Sequence, residues 1–160
     1  MRHYTILHDR LILYWPNGSS TTVYFDQNSG KVYYRYKIDT ITNVKHPGVY
    51  LGKDFHGTEY WVHNHYQQGG AHFASGREFK RGMPIYVYQE KCSNNRDRVI
   101  ESALNQIIRG EDYHPVTYNC QTFANQACHN QRKSEAVENV LAGAAFVGLI
   151  FAVARILNRK

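Results

Sequence analysis

The stretch GVYLGKDFHGTEYWVHNH, residues 48–65, predicts two neighbouring strands and so decides the fold. GVYLG (48–52) and EYWVHNH (59–65) are rich in β-branched and aromatic residues, and the KDFHGT segment between them carries turn residues. Because a short loop joins them, we expect the two strands to pair antiparallel. His46, which opens the first strand, and His63, in the second, would then lie near each other.

Further strand-like segments lie on both sides of this pair. TTVYFDQ (21–27) and KVYYRYKI (31–38) flank an Asn-Ser-Gly turn, which predicts a hairpin between them. PIYVYQE (84–90) predicts another strand, whereas QQGGAHFASG (67–76) is polar and glycine-rich and indicates a loop. The 13 tyrosines of the chain agree with a strand-rich first half, since aromatic residues favour strands.

The second half predicts two helices. In SNNRDRVIESALNQIIRG (93–110) the apolar residues recur at helical spacing. Asn94 or Asn95 can cap the start of this helix, and Gly110 can end it. The same spacing recurs over residues 120–128. Strands followed by helices are typical of an α+β fold.

Cys120 stands at the start of the second helix, directly after Asn119. Asparagine is a favoured N-cap, so the thiol would lie in the first turn. The unpaired backbone N–H groups of that turn stabilise a thiolate and can also hold an oxyanion. The alternative is a small buried residue in an apolar stripe, which is how we interpret Cys92 and Cys128.

The cysteine count constrains this interpretation. Three cysteines leave at least one thiol free if any pair forms. The chain has no Cys-x-x-Cys motif, which argues against a thiolate zinc site. A reducing compartment is the simpler assumption.

A nucleophilic cysteine needs a base, and the strand pair offers three histidines. One of His46 and His63 could take the thiol proton, and the other could hold the second ring nitrogen of that base. His65 points to the same face as His63, because side-chain direction has a period of two, so the two could exchange roles. Histidines at alternate strand positions could also bind a metal with His46 or His72. No carboxylate is placed to help, and we expect no metal ion.

The charge pattern limits the partners. The formal net charge is +6, which favours an anionic partner such as a phospholipid surface. Lysine and arginine never run longer than two residues, so we do not expect nucleic acid as a partner.

The end of the chain predicts a membrane anchor. NVLAGAAFVGLIFAVA (139–154) carries no charge, and residues 140–157 would span about 27 Å as a helix, near the minimum for a bilayer core. We therefore expect residues 1–131 to form the folded domain and residues 132–160 a hydrophobic, transmembrane helix. The alternative is a buried helix of a soluble domain, but residues 139–154 offer no polar face.

The same segment bears on assembly and location. Ala144 and Gly148 form a small-xxx-small pair, which could join copies of the chain into a homo-oligomer. We expect the C-terminal helix to anchor the protein in the membrane, with the catalytic domain in the cytoplasm.

Four segments occur in a characteristic order: HPGVYLG (46–52), WVH (61–63), RVIESALNQII (98–108) and NCQTFAN (119–125). This set resembles the lecithin:retinol acyltransferase-like family, or H-box/NC proteins, over roughly residues 30–128. That family is a circularly permuted branch of the papain-like NlpC-type superfamily. The resemblance implies a permuted papain-like fold, with an antiparallel sheet packed on helices.

The resemblance also implies a chemistry. Cys120 would be the nucleophile, His46 the base and His63 the second, orienting histidine. We expect the substrate or the oxyanion to contact Asn119, Gln121, His65 and Tyr50. The implied activity is that of a membrane-associated phospholipase A or acyltransferase. It would cleave acyl esters of glycerophospholipids through an acyl-thioester intermediate, without a cofactor.

Two other functions fit the same residues. One is a cysteine peptidase or amidase of the same superfamily, because the Cys/His chemistry also serves amides. The other is a catalytically silent H-box/NC protein that interacts with membranes.

Overall fold

A computed structural model describes most of the folded domain. The residues it describes are 1, 3–36, 45–88, 92, 94–132, 134, 137 and 138. In this part of the chain, eight strands form one sheet and three α-helices pack on it.

All pairings in the described sheet are antiparallel, so the predicted α+β class with an antiparallel sheet is confirmed. The strands are β1 (His3–Ile6), β2 (Arg10–Tyr14), β3 (Ser20–Tyr24), β4 (Val32–Tyr36), β5 (Lys45–Lys53), β6 (Glu59–His65), β7 (Gly70–Ser75) and β8 (Tyr86–Val87). The helices are α1 (Gly76–Lys80), α2 (Arg96–Arg109) and α3 (Cys120–His129), and a single 3-10 turn covers Tyr66–Gln68.

Strand β5 is the centre of the sheet. It pairs with β6 along most of its length, with β4 on its other side, and with β3 only at Lys53. The predicted pairing of β5 with β6 is confirmed, and it sets Gly48 opposite His63. A β-bulge between Tyr50 and Gly52 shifts the β5–β6 register in the last residues of β5.

The predicted hairpin between β3 and β4 is wrong, because both strands pair with β5 instead. The connecting turn bonds to β5: Gly30 N donates to the Tyr50 carbonyl at 2.7 Å, and Tyr50 N donates to the Lys31 carbonyl at 3.0 Å. Tyr50 also donates its hydroxyl to Asp26 at 2.9 Å. These bonds lead the chain along one edge of β5, from its pairing with β3 to its pairing with β4.

The predicted loop at 67–76 is also wrong, because most of it forms β7. This strand pairs with β6 in an unbroken register, with His72 opposite His63. Gly70 allows the close approach of the Glu111 carbonyl, which would lie 2.5 Å from a Cβ at that position. Of the strand expected at 84–90, the described residues form β8 over Tyr86–Val87, and residues 89 and 90 lie outside them.

Two apolar clusters lie on opposite faces of the sheet. Val49 and Val62 belong to the larger cluster, together with residues of α2 and α3 such as Phe123. Tyr50 and Trp61 belong to the smaller cluster with Phe79 of α1. Since successive side chains of a strand point to opposite faces, α2 and α3 cover one face near β5 and α1 covers the other.

The two predicted helices are confirmed with their caps. The side chain of Asn95 accepts a hydrogen bond from Arg98 N at 3.1 Å at the start of α2. Gly110 ends that helix in the left-handed conformation, with a φ of 62°.

Cys128 is buried in the larger apolar cluster, as expected, and Cys92 packs against that cluster. The sequence did not predict that the two form a disulfide. The bond ties the segment before α2 to the last turns of α3. The odd cysteine count leaves Cys120 as the free thiol.

The predicted transmembrane helix falls outside the described residues, which end at 138. Within the described part of the chain, no helix combines the length and apolarity needed to cross a membrane.

Reduction of the Cys92–Cys128 disulfide should destabilise the domain. The bond joins residues separated by 36 positions, and a closed loop of this length is worth about 4 kcal/mol in chain entropy. Urea unfolding with and without a phosphine reductant measures the difference in the free energy of unfolding. The double variant Cys92→Ser/Cys128→Ser should match the reduced protein and not respond to reductant. Equal stability in both conditions would contradict this role.

Candidate functional site

The free thiol is fixed by the start of α3. The side-chain oxygen of Asn119 accepts hydrogen bonds from Gln121 N at 2.9 Å and Thr122 N at 3.0 Å, which confirms the predicted N-cap. Cys120 therefore occupies the first turn, where its side chain is only 4% exposed. Its Sγ lies 3.9 Å from the carbonyl oxygen of Lys45, the first residue of β5.

Polar contacts hold this turn against the sheet. The Asn119 amide nitrogen donates to the Pro115 carbonyl at 2.9 Å and to Ser134 Oγ at 3.2 Å. Ser134 donates in turn to the Gln121 side chain at 3.0 Å. On the sheet side, Asn64 of β6 donates to the Tyr118 carbonyl at 3.1 Å. The amides of Asn119 and Gln121 thus belong to the framework that positions the sulfur.

His46 and His63 form a buried pair. Nε2 of His46 lies 2.7 Å from Nδ1 of His63, and the residues are 1% and 4% exposed. The expected proximity of these two histidines is confirmed. It follows from the β5–β6 register, which puts both side chains on the same face.

Helix α1 covers the histidine pair. The Phe79 ring centroid lies 6.1 Å from that of His46 and 5.6 Å from that of His63. Gly48 makes this possible, since a Cβ there would lie 2.5 Å from Phe79 Cε2. The packing of Phe79 against the histidine pair therefore requires a glycine at position 48.

Burial holds the pKa of His63 well below its usual range. The neighbouring charges of His72, His65, Arg35 and Arg81 lower the pKa further. His63 is therefore neutral near pH 7 and can share a single proton with His46 across the 2.7 Å contact.

His65 lies beside the pair in a different role. Its Nδ1 accepts a hydrogen bond from Gln67 N at 3.3 Å and caps the 3-10 turn. Its ring stacks on Tyr66 and lies 5.3 Å from the His46 centroid. The geometry thus favours His63 over His65 as the hydrogen-bonding partner of His46.

The structure places Tyr50 away from the pair. It shares their sheet face, but three residues of strand lie between it and His46, and the two are about 13 Å apart along the strand. Its hydroxyl donates to Asp26, and its ring packs on Trp61 at a centroid distance of 4.9 Å. Burial and the Asp26 carboxylate raise the Tyr50 pKa. Tyr50 is part of the aromatic cluster, and its expected contact with substrate has no support in this position.

The thiol and the histidine pair are both positioned by the first residues of β5. The His46 ring lies on the α1 face, whereas α3 packs mainly on the opposite face. Cys120 is the first residue of α3, and Lys45 is the first residue of β5. The sulfur therefore contacts the backbone carbonyl of the residue directly before His46.

Two neighbours of the thiol were not expected from the sequence. Lys45 contacts the sulfur through its backbone carbonyl, and a sequence pattern cannot identify a contact made by a backbone group. Tyr113 lies in the loop before α3, and its pKa is raised by burial and then by the charge of Cys120. A tyrosine in a polar loop carries no distinguishing signal in a single sequence.

Comparisons with known proteins add no family to this geometry. Searches against protein families, curated proteins and solved structures found no match to the chain. Within the described residues, no group of three or more His, Cys, Asp or Glu side chains is arranged to hold a metal ion.

The buried His63 should make stability depend on pH. An unfolded histidine takes up a proton near pH 6.5, whereas folded His63 resists protonation to a lower pH. The unfolded state therefore binds more protons in this interval, and the free energy of unfolding falls as the pH drops below about 6.5. The slope from one such group is at most about 1.4 kcal/mol per pH unit.

Urea unfolding of the wild type and His63→Gln from about pH 8 to about pH 5 measures this slope. The His63→Gln variant should lose part of the pH dependence, while the exposed His56→Gln variant should keep it. Identical slopes in wild type and His63→Gln would show that His63 does not resist protonation.

Proposed function

We propose that the protein is a cysteine-dependent acyl hydrolase or acyltransferase, with Cys120 as nucleophile, His46 as base and His63 as its positioning partner. One observation carries the proposal: two consecutive residues of β5 contact the thiol and the second histidine. The carbonyl of Lys45 contacts the Cys120 sulfur, and the next residue, His46, makes the buried 2.7 Å contact with His63. A free thiol at a capped helix start gives further support, since that position stabilises a thiolate.

In the proposed mechanism, Nδ1 of His46 takes the thiol proton, because Nε2 contacts His63. The thiolate then attacks the carbonyl carbon of an acyl ester, and the ester C–O bond breaks. Nδ1–H gives its proton to the departing alcohol, leaving a thioester on Cys120. Water, or an acceptor alcohol or amine, attacks the thioester and restores the thiol.

The architecture is consistent with a circularly permuted papain-like fold. The histidine strand precedes the cysteine helix in the chain, and an antiparallel sheet carries the helices. This is the arrangement that the resemblance to the H-box/NC proteins implies.

A surface next to the thiol favours a lipid substrate. We define the tyrosine patch as Tyr34, Tyr36, Tyr86 and Tyr88, whose rings lie within 5.5–6.2 Å of Tyr34. Lys45 Nζ lies 4.8 Å above the Tyr34 ring, and the carbonyl of the same lysine touches the Cys120 sulfur.

The tyrosine patch lies on the α3 face of the sheet. Tyr34 lies two residues after core residue Val32 on β4, so both side chains point to the same face, and Tyr88 packs against the same core. Tyrosine is favoured at membrane–water interfaces, and lysine attracts anionic lipid. Together with the net charge of +6, the patch supports glycerophospholipid esters as the substrate class.

Membrane anchoring through residues 132–160, a cytoplasmic catalytic domain and homo-oligomerisation stay predictions. The Cys92–Cys128 disulfide is more typical of an oxidising compartment. Thiol trapping of the protein in its native compartment distinguishes the two locations.

Acyl hydrolysis should require Cys120 and His46. With mixed phospholipid vesicles, Cys120→Ala should abolish release of fatty acid, and His46→Ala should reduce it by about 10²- to 10⁴-fold, the usual contribution of a general base. Mass spectrometry should find the acyl group on Cys120 in the wild type. His56→Ala, at an exposed site, is the matched control and should stay active.

The same preparation tests the alternatives. Cleavage of soluble peptides in place of phospholipids would indicate a peptidase or amidase. If Cys120→Ala released as much fatty acid as the wild type, the nucleophile assignment would be wrong.

The tyrosine patch should matter for vesicles but not for soluble esters. The variant Tyr86→Ser removes an aromatic ring of the patch that is 46% exposed. We expect weaker vesicle binding in a flotation assay and unchanged hydrolysis of a short-chain soluble ester. Phe55→Ser, which alters an exposed residue beyond the other end of β5, should leave vesicle binding unchanged. Equal loss in both variants would contradict a specific docking face.

A further inference from the structure

A cavity of about 220 Å³ opens on the α1 face of the sheet, next to the histidine pair. Its lining includes His63, His65, His72, Gln67, Gln68 and Arg81. His63 connects the cavity to the proposed catalytic residues, because its Nδ1 contacts His46.

The hydrogen bonds determine which nitrogen atoms a ligand would meet. Nδ1–H of His72 donates to the Gly70 carbonyl at 3.0 Å, so Nε2 is the atom that a ligand would engage. His63 uses Nδ1 for His46, so its Nε2 has the same role. The two rings lie together, with centroids 4.3 Å apart.

The charges in the lining favour an anion. Arg81 ends α1 and brings a guanidinium to the cavity. Glu78 is the carboxylate of the lining, and it accepts a hydrogen bond from Ser75 N at 2.7 Å in the capping box of α1. After burial, the guanidinium of Arg81 is among the positive charges that lower the pKa of His63.

We propose that this cavity binds a phosphate-type oxyanion through Nε2–H groups of His63 and His72 and the guanidinium of Arg81. The shared chemistry is a tetrahedral phosphate oxyanion, from either a phospholipid headgroup or free phosphate. Binding itself does not depend on the proposed function, whereas the consequence for catalysis rests on it.

An anion in the cavity would set the tautomer of the histidine pair. A hydrogen bond from Nε2–H of His63 leaves its Nδ1 as an acceptor, so that His46 must donate through Nε2–H. His46 Nδ1 is then the basic nitrogen, as proton removal from Cys120 requires. The ligand would therefore organise the base without touching the thiol.

Nδ1–H of His72 is committed to the Gly70 carbonyl, so its Nε2 carries a second proton when it donates to the anion. The charged and titratable groups around this ring are His63, His65, Glu78 and Arg81, with Arg35 beyond His63.

The test uses the full chain with Cys120→Ala, which removes turnover. Calorimetry measures binding of inorganic phosphate and of glycerophosphocholine, and nitrogen-detected NMR of the imidazole rings reports the tautomers. Phosphate or the glycerophosphodiester should shift the Nε2 signals of His63 and His72. His72→Gln and Arg81→Gln should each weaken binding by about tenfold or more. Arg77→Gln, on the same helix but outside this lining, is the matched control.

Each outcome decides a separate point. Binding of both compounds supports a site for the bare anion, and binding of glycerophosphocholine alone supports a headgroup site. No binding of either, or binding unchanged in His72→Gln and Arg81→Gln, overturns the proposal. Tight zinc binding that excludes phosphate would also overturn it. If phosphate binds and the wild type releases no fatty acid, only the proposed function fails.

Discussion

The pairing register of β5 on β6 is the constraint on which the rest of the site depends. It sets Gly48 opposite His63 and brings the two buried imidazoles to 2.7 Å. A slip of one residue would turn every side chain of β5 to the other face and would separate the pair. The register also places Gly48 under Phe79, where only a glycine leaves room for the ring. Helix α1 can therefore pack Phe79 against the histidine pair.

The thiol depends on a second set of constraints, at the start of α3. Asn119 caps the helix and is itself held by Pro115 and Ser134. Asn64 ties the preceding residue to β6, so the sheet that carries the histidines also fixes the approach of the cysteine helix. The disulfide fastens the other end of α3. Both ends of the helix are thus tied down, which keeps Cys120 against the first residue of β5.

The two faces of the sheet divide the surroundings of the site. The α1 face carries the histidines and the polar cavity lined by His63, His72 and Arg81. The opposite face carries α3 and, beyond it, the tyrosine patch with Lys45. In the two proposals, the tyrosine patch faces a lipid surface on one side of the sheet, and the cavity holds a phosphate-type anion on the other.

The sequence by itself determined the local elements: the β5 and β6 strands, and α2 and α3 with their caps. Alternation, helical periodicity and N-cap chemistry act between residues close in the chain, so one sequence suffices to read them. Only the tertiary structure decided that β3 and β4 both pair with β5, that 67–76 adds a strand beside β6, and that Cys92 bonds to Cys128. It alone gave His63 rather than His65 the contact with His46 and sent Tyr50 to Asp26. These choices depend on which distant segments compete for the same strand edge, and that competition is settled by packing across the whole domain.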